Sequence, residues 1–178
     1  MMTQQTLEKM SRLCANYRGT IIHETIFIET GVDTCVTEFL SGSNSARVED
    51  LYRLLVHKQS GVSFSSKMLM LTYIVKNYFQ EFDKRNKDLT QSINSLIEIR
   101  NMAAHRKMKI PKDFSEFDGE TINLHWVSTK KGLPKEEGIK MNLKFINDVI
   151  AERNRLHTTL TELYELIKQE NGNPENNK

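Results

Sequence analysis

The sequence has little of what stabilises secreted or metal-binding domains. Its 178 residues include only two cysteines, Cys14 and Cys35, and both stand in apolar helical patterns. A disulfide framework or a metal site needs more ligands at closer spacing, so we predict that both thiols are small buried side chains. We therefore expect no metal and no cofactor. A chain of this length can bury a sufficient core without them.

Long apolar runs and a large net charge are also missing. The N-terminal stretch MMTQQTLEKMSR has no apolar signal core, and no apolar run approaches the roughly 20 residues that span a bilayer. Lys and Arg number 25 and Asp and Glu 23, so the net charge of +2 does not by itself indicate a nucleic-acid partner. The missing apolar runs predict a cytoplasmic protein without membrane association. Because the net charge is small, any prediction of nucleic-acid binding must rest on local clusters of basic residues.

The apolar residues recur mainly at helical spacing. The pattern predicts helices over residues 4–18, 20–40 and 47–57, and a further helix that begins after a serine cap, Ser63 or Ser65, and ends near residue 84. Asp88 and Gln91 resemble the capping box of the next helix, which we expect to end near Lys107. We expect the following residues on its apolar face: Leu89, Ile93, Leu96, Ile97 and Ala104.

The period changes after Pro111. Ile122, Leu124 and Trp126 alternate with polar residues, which predicts a strand with one apolar face, and Trp126 is expected to anchor it onto the helices. Residues 139–141 can pair back as a second strand, and Asn142 then caps a long last helix. The prediction is a mainly α protein, an antiparallel helical bundle with a small inserted β-hairpin near residues 120–141. It forms a single domain over 1–170, with a disordered tail at 171–178.

The stretch IEIRNMAAHRKMK carries the residues best suited to chemistry. Arg100 and His105 are five apart and diverge by about 140° on a helix, whereas Asn101 and His105 share a face. With small Ala103 and Ala104 between them, the residues suit a cleft that another helix, or the same helix of a second subunit, completes. A structural role is the alternative, in which the same side chains form a buried hydrogen-bonded network.

Each of these residue types has a function if the substrate is RNA. Histidine can accept the 2′-hydroxyl proton or protonate the leaving oxygen, and arginine offers a planar fork of donors to phosphate oxygens. Asn101 can orient the imidazole or bind phosphate. Arg106, Lys107 and Lys109, with Lys112, form the strongest local positive cluster and are predicted to bind RNA phosphates. The alternative for this cluster is a solvated helix end, where cations are favourable in any case.

The spacing Arg100-Asn101-x3-His105 resembles the Arg-x4-His signature of HEPN domains. The upstream segment LYRLLVHKQSGVSFSSKMLMLTYIV is also similar to bacterial members, and the resemblance covers about residues 20–109 and the closing helix. It implies an antiparallel helical bundle that dimerises and brings two such helices together. The chain resembles the mannitol repressor family more loosely, and those relatives are regulatory rather than catalytic.

Many HEPN relatives are metal-independent ribonucleases that act as toxins or defence proteins, while others only bind ligands or partners. The resemblance therefore implies that Arg100 and His105 are catalytic and that Asn101 supports them. It also implies a homodimer, RNA as a partner, and a protein partner such as an antitoxin. Toxins paired with a nucleotidyltransferase antitoxin often carry Tyr two residues after the His, where this chain has Lys107, which argues against antitoxin-mediated modification there. Two hypotheses remain open: a ribonuclease, or a non-enzymatic helical module that regulates a partner or binds a nucleotide.

Overall fold

The structure, a computed structural model, describes residues 4–42, 62–113, 116–130 and 133–172, with the backbone alone for 127–130 and 133–136. The described part contains five helices and one antiparallel sheet of three strands. In chain order the elements are α1 (Gln4–Ser41), α2 (Phe64–Tyr78), α3 (Gln80–Arg85), α4 (Leu89–His105), β1 (Lys107–Met108), β2 (Ile122–Lys130), β3 (Leu133–Met141) and α5 (Leu143–Asn171). The predicted fold class, mainly α with a small hairpin near residues 120–141, is confirmed.

Helix α1 is continuous where the sequence predicted two helices. It runs for 38 residues and passes Gly19 without a break. A single glycine inside a helix costs only about 1 kcal/mol relative to alanine, which the buried stripe on either side outweighs. The division near residue 19 was therefore wrong. The apolar stripe itself was right, because its members are almost all buried: Met10, Cys14, Tyr17, Ile21, Ile28, Val32, Cys35 and Val36.

The next helix begins as predicted but is interrupted. Ser63 is its N-cap, and the Ser63 hydroxyl accepts a hydrogen bond from the Ser66 amide at 3.1 Å. The backbone leaves the helical region at Phe79, with φ −123° and ψ 53°, and α3 starts at the following residue. A single helix to residue 84 was therefore wrong. The predicted helix over 47–57 and most of the predicted tail, residues 173–178, lie outside the described residues.

Helix α4 differs from the prediction at its C-terminal end. Leu96 and Ala103 are both buried, because residues seven apart on a helix point in nearly the same direction. Ala104 points about 80° away from Leu96 around the helix axis and is exposed. Placing Ala104 on the apolar face was therefore wrong. The helix ends at His105, two residues before the predicted end, because Lys107 and Met108 pair with β2 as a strand that the sequence did not predict.

The sheet has the order β1-β2-β3, and both pairings are antiparallel. Ile122 pairs with Met141 and Leu124 with Ile139, so these side chains share one face, and Ile122, Leu124 and Met141 are at most 1% exposed. The predicted second strand, residues 139–141, is the end of a longer β3. The residues that form a core with this face are Met10, Cys14, Tyr17, Ile21, Ala103 and Ile146.

The chain divides into two compact units, each described separately. The sheet unit comprises Met1–Thr25 and Ser95–Glu152, and the helical unit comprises Ile26–Asn94 and Arg153–Lys178. All of the predicted site residues belong to the sheet unit. In the part of the chain that the structure describes, no helix is both long enough and apolar enough to cross a membrane.

Candidate functional site

The predicted catalytic residues lie on the last two turns of α4. Arg100 is half-buried, whereas Asn101 and His105 are exposed. The Arg100 guanidinium donates from Nη1 to the Asn101 amide oxygen at 3.2 Å. His105 is the last residue of the helix, so its imidazole stands where the chain turns from α4 toward the sheet.

These contacts bear on the two roles considered for the three residues. A buried polar network would require the side chains to be enclosed, and two of the three are exposed. Within the described residues no hydrogen bond joins Asn101 to His105, and Asn101 instead orients the guanidinium of Arg100. The geometry therefore presents Asn101 and His105 to solvent, with the half-buried Arg100 hydrogen-bonded to Asn101.

The two alanines beside the histidine differ in their surroundings. Ala103 is 1% exposed and belongs to the core of the sheet unit. Ala104 is exposed. Since Ala103 already packs within its own chain, only Ala104 is available to a further helix, which corrects the prediction of a two-alanine surface.

Arg106, between the helix and β1, is held by two contacts. Its carbonyl oxygen accepts a hydrogen bond from the guanidinium of Arg18 on α1. Its own guanidinium lies over the ring of Trp126, 4.9 Å from the centroid. Trp126 is half-buried and, by strand alternation, shares the face of β2 that carries Leu124. The tryptophan thus supports an arginine, although the sequence predicted only a hydrophobic anchor.

Lys107 and Lys109 lie on the other face of the sheet. Lys107 is the register partner of His125, and the Lys109 amide donates to the carbonyl oxygen of Asn123 at 2.7 Å. Directly opposed residues in an antiparallel pair share a face, and successive residues alternate between faces. The predicted phosphate-binding cluster is therefore divided between Arg106 on one face of the sheet and the two lysines on the other.

The residues that complete this second face were not predicted to belong to the site. Asn123 pairs with Lys140, and His125 pairs with Gly138. Lys107, Lys109, Asn123 and Lys140 are exposed and His125 is half-buried, whereas the opposite face of the sheet is buried in the core. The polar positions of the period-two run were visible in the sequence. Their neighbours could not be identified, because that requires the register of three strands.

Two adjoining cavities open on this face. The larger, about 670 Å³, is lined by Lys109, Lys112, Lys140 and Asn123 together with Phe117 and Asp118. The smaller, about 460 Å³, shares Lys109, Asn123 and Lys140 and adds His125, Glu137 and Gly138. The three shared residues form the boundary between them. We call the joint surface around Lys109, Asn123 and Lys140 the sheet groove.

An ordered turn forms one wall of the larger cavity. The Asp118 carboxylate accepts hydrogen bonds from the amides of Glu120 and Thr121 at 2.8 and 2.7 Å and from the Thr121 hydroxyl at 2.6 Å. Gly119 has φ +87°, which other residues rarely adopt. These bonds, that from Thr121 above all, lower the pKa of Asp118 from 3.8 to about 2. The hydroxyl of Tyr17 also donates to the Glu120 carbonyl at 3.0 Å, which ties the turn to α1.

Comparisons with known proteins identify no relative of this chain. The chain matches no protein-family model, no curated protein and no solved structure. Among the residues that the structure describes, no three His, Cys, Asp or Glu side chains form a group that could hold a metal ion.

Proposed function

We propose that the protein is a HEPN-type endoribonuclease that needs no metal, acts in the cytoplasm, and uses Arg100, Asn101 and His105. The observation that carries the proposal is the exposure of Asn101 and His105 at the end of α4, one residue before a basic strand. Between Glu98 and Asp113 the chain has five Lys or Arg residues and no Asp or Glu. This local positive charge favours a polyanionic substrate, although the net charge of the whole chain is small.

In the proposed reaction the 2′-oxygen of a ribose attacks the adjacent phosphorus atom, and the bond from phosphorus to the 5′-oxygen breaks. The products are a 2′,3′-cyclic phosphate and a free 5′-hydroxyl. His105 accepts the 2′-hydroxyl proton or supplies the proton to the leaving oxygen, a role suited to imidazole. Arg100 stabilises the charge on the phosphate oxygens, and Asn101 positions its guanidinium through their hydrogen bond.

One imidazole cannot remove and supply a proton in the same step, which favours a site with two copies of His105. We therefore propose a homodimer in which the ends of two α4 helices meet, with exposed Ala104 rather than buried Ala103 at the contact. Light scattering at micromolar concentration is expected to give twice the chain mass. Ala104→Glu should reduce that mass, and a stable monomer of the wild-type chain would contradict this part of the proposal. A separate protein partner such as an antitoxin remains part of the hypothesis.

The direct test is to incubate the protein with total RNA in the presence of a chelator and to determine the ends of any fragments. Fragments with 2′,3′-cyclic phosphate and 5′-hydroxyl ends support the proposal. Fragments with 5′-phosphate ends would exclude attack by the 2′-hydroxyl. Intact RNA across a range of RNA classes would instead favour the non-enzymatic alternative, a helical module that regulates a partner or binds a nucleotide.

A further inference from the structure

The sheet groove has a consistent chemical character. Three exposed lysines, Lys107, Lys109 and Lys140, stand on the open face of the sheet, and Lys112 joins two of them in lining the larger cavity. Their stems rise from a sheet whose other face is fixed in the core. A basic surface on a rigid support is suited to a strand of phosphates, which carries one charge per nucleotide.

The side chains stand in two rows across the strands. One row contains Lys109, Asn123 and Lys140, and the other contains Lys107, His125 and Gly138. Neighbouring strands lie about 4.8 Å apart, so the backbones that carry Lys109 and Lys140 are separated by roughly 10 Å with an amide side chain between them. Gly138 adds no side chain, and the smaller cavity opens beside it and His125.

The groove adjoins the proposed catalytic residue along the chain. His105 and Lys107 are two residues apart, so their Cα atoms are at most about 7 Å apart. A strand bound in the groove thus lies close to the end of α4. Carboxylates line the cavities as well, Glu116 and Asp118 the larger and Glu137 the smaller, but lysines outnumber them in each. The turn hydrogen bonds already engage both oxygens of Asp118.

We propose that the sheet groove binds the phosphate backbone of single-stranded RNA, with Lys109 and Lys140 as its principal phosphate contacts. Lys107 and His125 contact the RNA between the groove and His105. Asn123 offers an amide to the RNA between Lys109 and Lys140. The inference takes its ligand, RNA, from the proposed function, but it concerns binding and not cleavage.

The test measures the binding of a labelled single-stranded RNA of about 12 nucleotides. The full chain carries His105→Ala so that the RNA stays intact, and fluorescence anisotropy is recorded over a salt series. A lysine–phosphate contact to a single strand contributes about 0.7 to the slope of log K against log salt. At 0.1 M salt, this corresponds to a binding constant that is about fivefold higher for each contact. Replacing Lys109 and Lys140 together with Gln should therefore weaken binding on the order of 25-fold and lower the slope by about 1.4.

The matched control replaces Lys76 and Lys87 with Gln. Both lysines are exposed in the helical unit, and the pair removes the same charge. The control should bind as tightly as the unaltered groove. Equal affinity and equal slope for the two double variants would overturn the inference, as would the absence of any RNA binding. Displacement of the RNA by AMP at an equal phosphate concentration would overturn it in favour of a nucleotide site. Binding that depends on the groove, with no cleavage by wild type, would support the inference and reject the ribonuclease.

Discussion

The guanidinium of Arg106 lies 4.9 Å from the centroid of the Trp126 ring, on the face of β2 opposite to Asn123 and His125. Trp126 is the single tryptophan, so tryptophan emission reports on the surroundings of this one ring. Arg106→Ala should move the emission to longer wavelength, because the ring loses its cover. It should also lower the free energy of unfolding by about 0.5–1 kcal/mol.

Lys107→Ala is the matched control for Arg106→Ala. It removes the same charge from the next residue, which lies on the other face of the sheet. The tryptophan emission of this variant should equal that of wild type. A shift as large as that of Arg106→Ala would show that the ring responds to net charge and not to the stacked guanidinium.

Asp33 and Lys67 form a buried ion pair in the helical unit. The Lys67 ammonium is 2.8 and 2.9 Å from the two carboxylate oxygens, and the residues are 5% and 8% exposed. Burial raises the pKa of Asp33, and the contact with Lys67 offsets that only in part. Removing one member of such a pair leaves a buried charge and costs about 3–5 kcal/mol, whereas an apolar pair of similar volume is often neutral.

A double-mutant cycle in urea checks this pair. Asp33→Leu should destabilise more than Lys67→Met, because an unpaired carboxyl whose pKa is already raised can take up a proton. The double variant should return to within about 1 kcal/mol of wild type. Lys84→Met, at the exposed pair with Glu81, is the control and should cost at most about 0.5 kcal/mol. Strictly additive losses at Asp33 and Lys67 would show that the two charges do not stabilise each other.

Two glycines of α1 should respond to alanine in opposite directions. A Cβ at Gly19 would meet nothing within 4 Å, whereas one at Gly31 would lie 3.0 Å from Cδ1 of buried Leu160. Gly19→Ala should stabilise by about 0.5–1 kcal/mol through helix propensity. Gly31→Ala should destabilise by on the order of 1 kcal/mol, because overpacking exceeds that gain. Urea midpoints measure both, and a stabilising Gly31→Ala would contradict the close helix contact.

Acid should weaken the turn that borders the larger cavity. The pKa of Asp118 in the fold is about 2, below its ordinary value of 3.8, so the ionised form stabilises the fold above the ordinary value. That stabilisation is lost as the pH falls from about 4 toward 2. Asp118→Asn should therefore melt below wild type at about pH 5, and the difference should shrink toward zero near pH 2. A difference in melting temperature that does not change with pH would contradict this account.

Sequence periodicity predicted the fold where the pattern was long and one-sided. The stripe of α1 is buried as expected, and Asn142 caps α5 through a bond of 2.9 Å from the Phe145 amide. Interruptions were harder to predict. Gly19 does not end a helix and Phe79 does, so the local helix propensity of these two residues does not predict where the helices end.

The candidate site was only partly predictable for a related reason. Arg100, Asn101 and His105 were identified from their spacing, and their exposure became known from the structure. Strand β1 has two residues and no period, so nothing local predicted it. Without it, Arg106 could not be separated from Lys107 and Lys109, and Lys140 could not be placed next to them. Register depends on contacts between distant segments, which residue patterns do not contain.

His105 is proposed to act in RNA cleavage and not to stabilise the fold, and one series of variants tests this directly. RNA cleavage in chelator and thermal melting are recorded for wild type, His105→Ala, Arg100→Lys and the control His157→Ala, which removes another exposed helical histidine. We predict that His105→Ala lowers cleavage by at least about 100-fold with an unchanged melting temperature, since an exposed general acid or base adds little to stability. Arg100→Lys should also lose cleavage, because an ammonium cannot reproduce the planar fork, while His157→Ala retains it. Cleavage by His105→Ala at the wild-type rate would contradict the account.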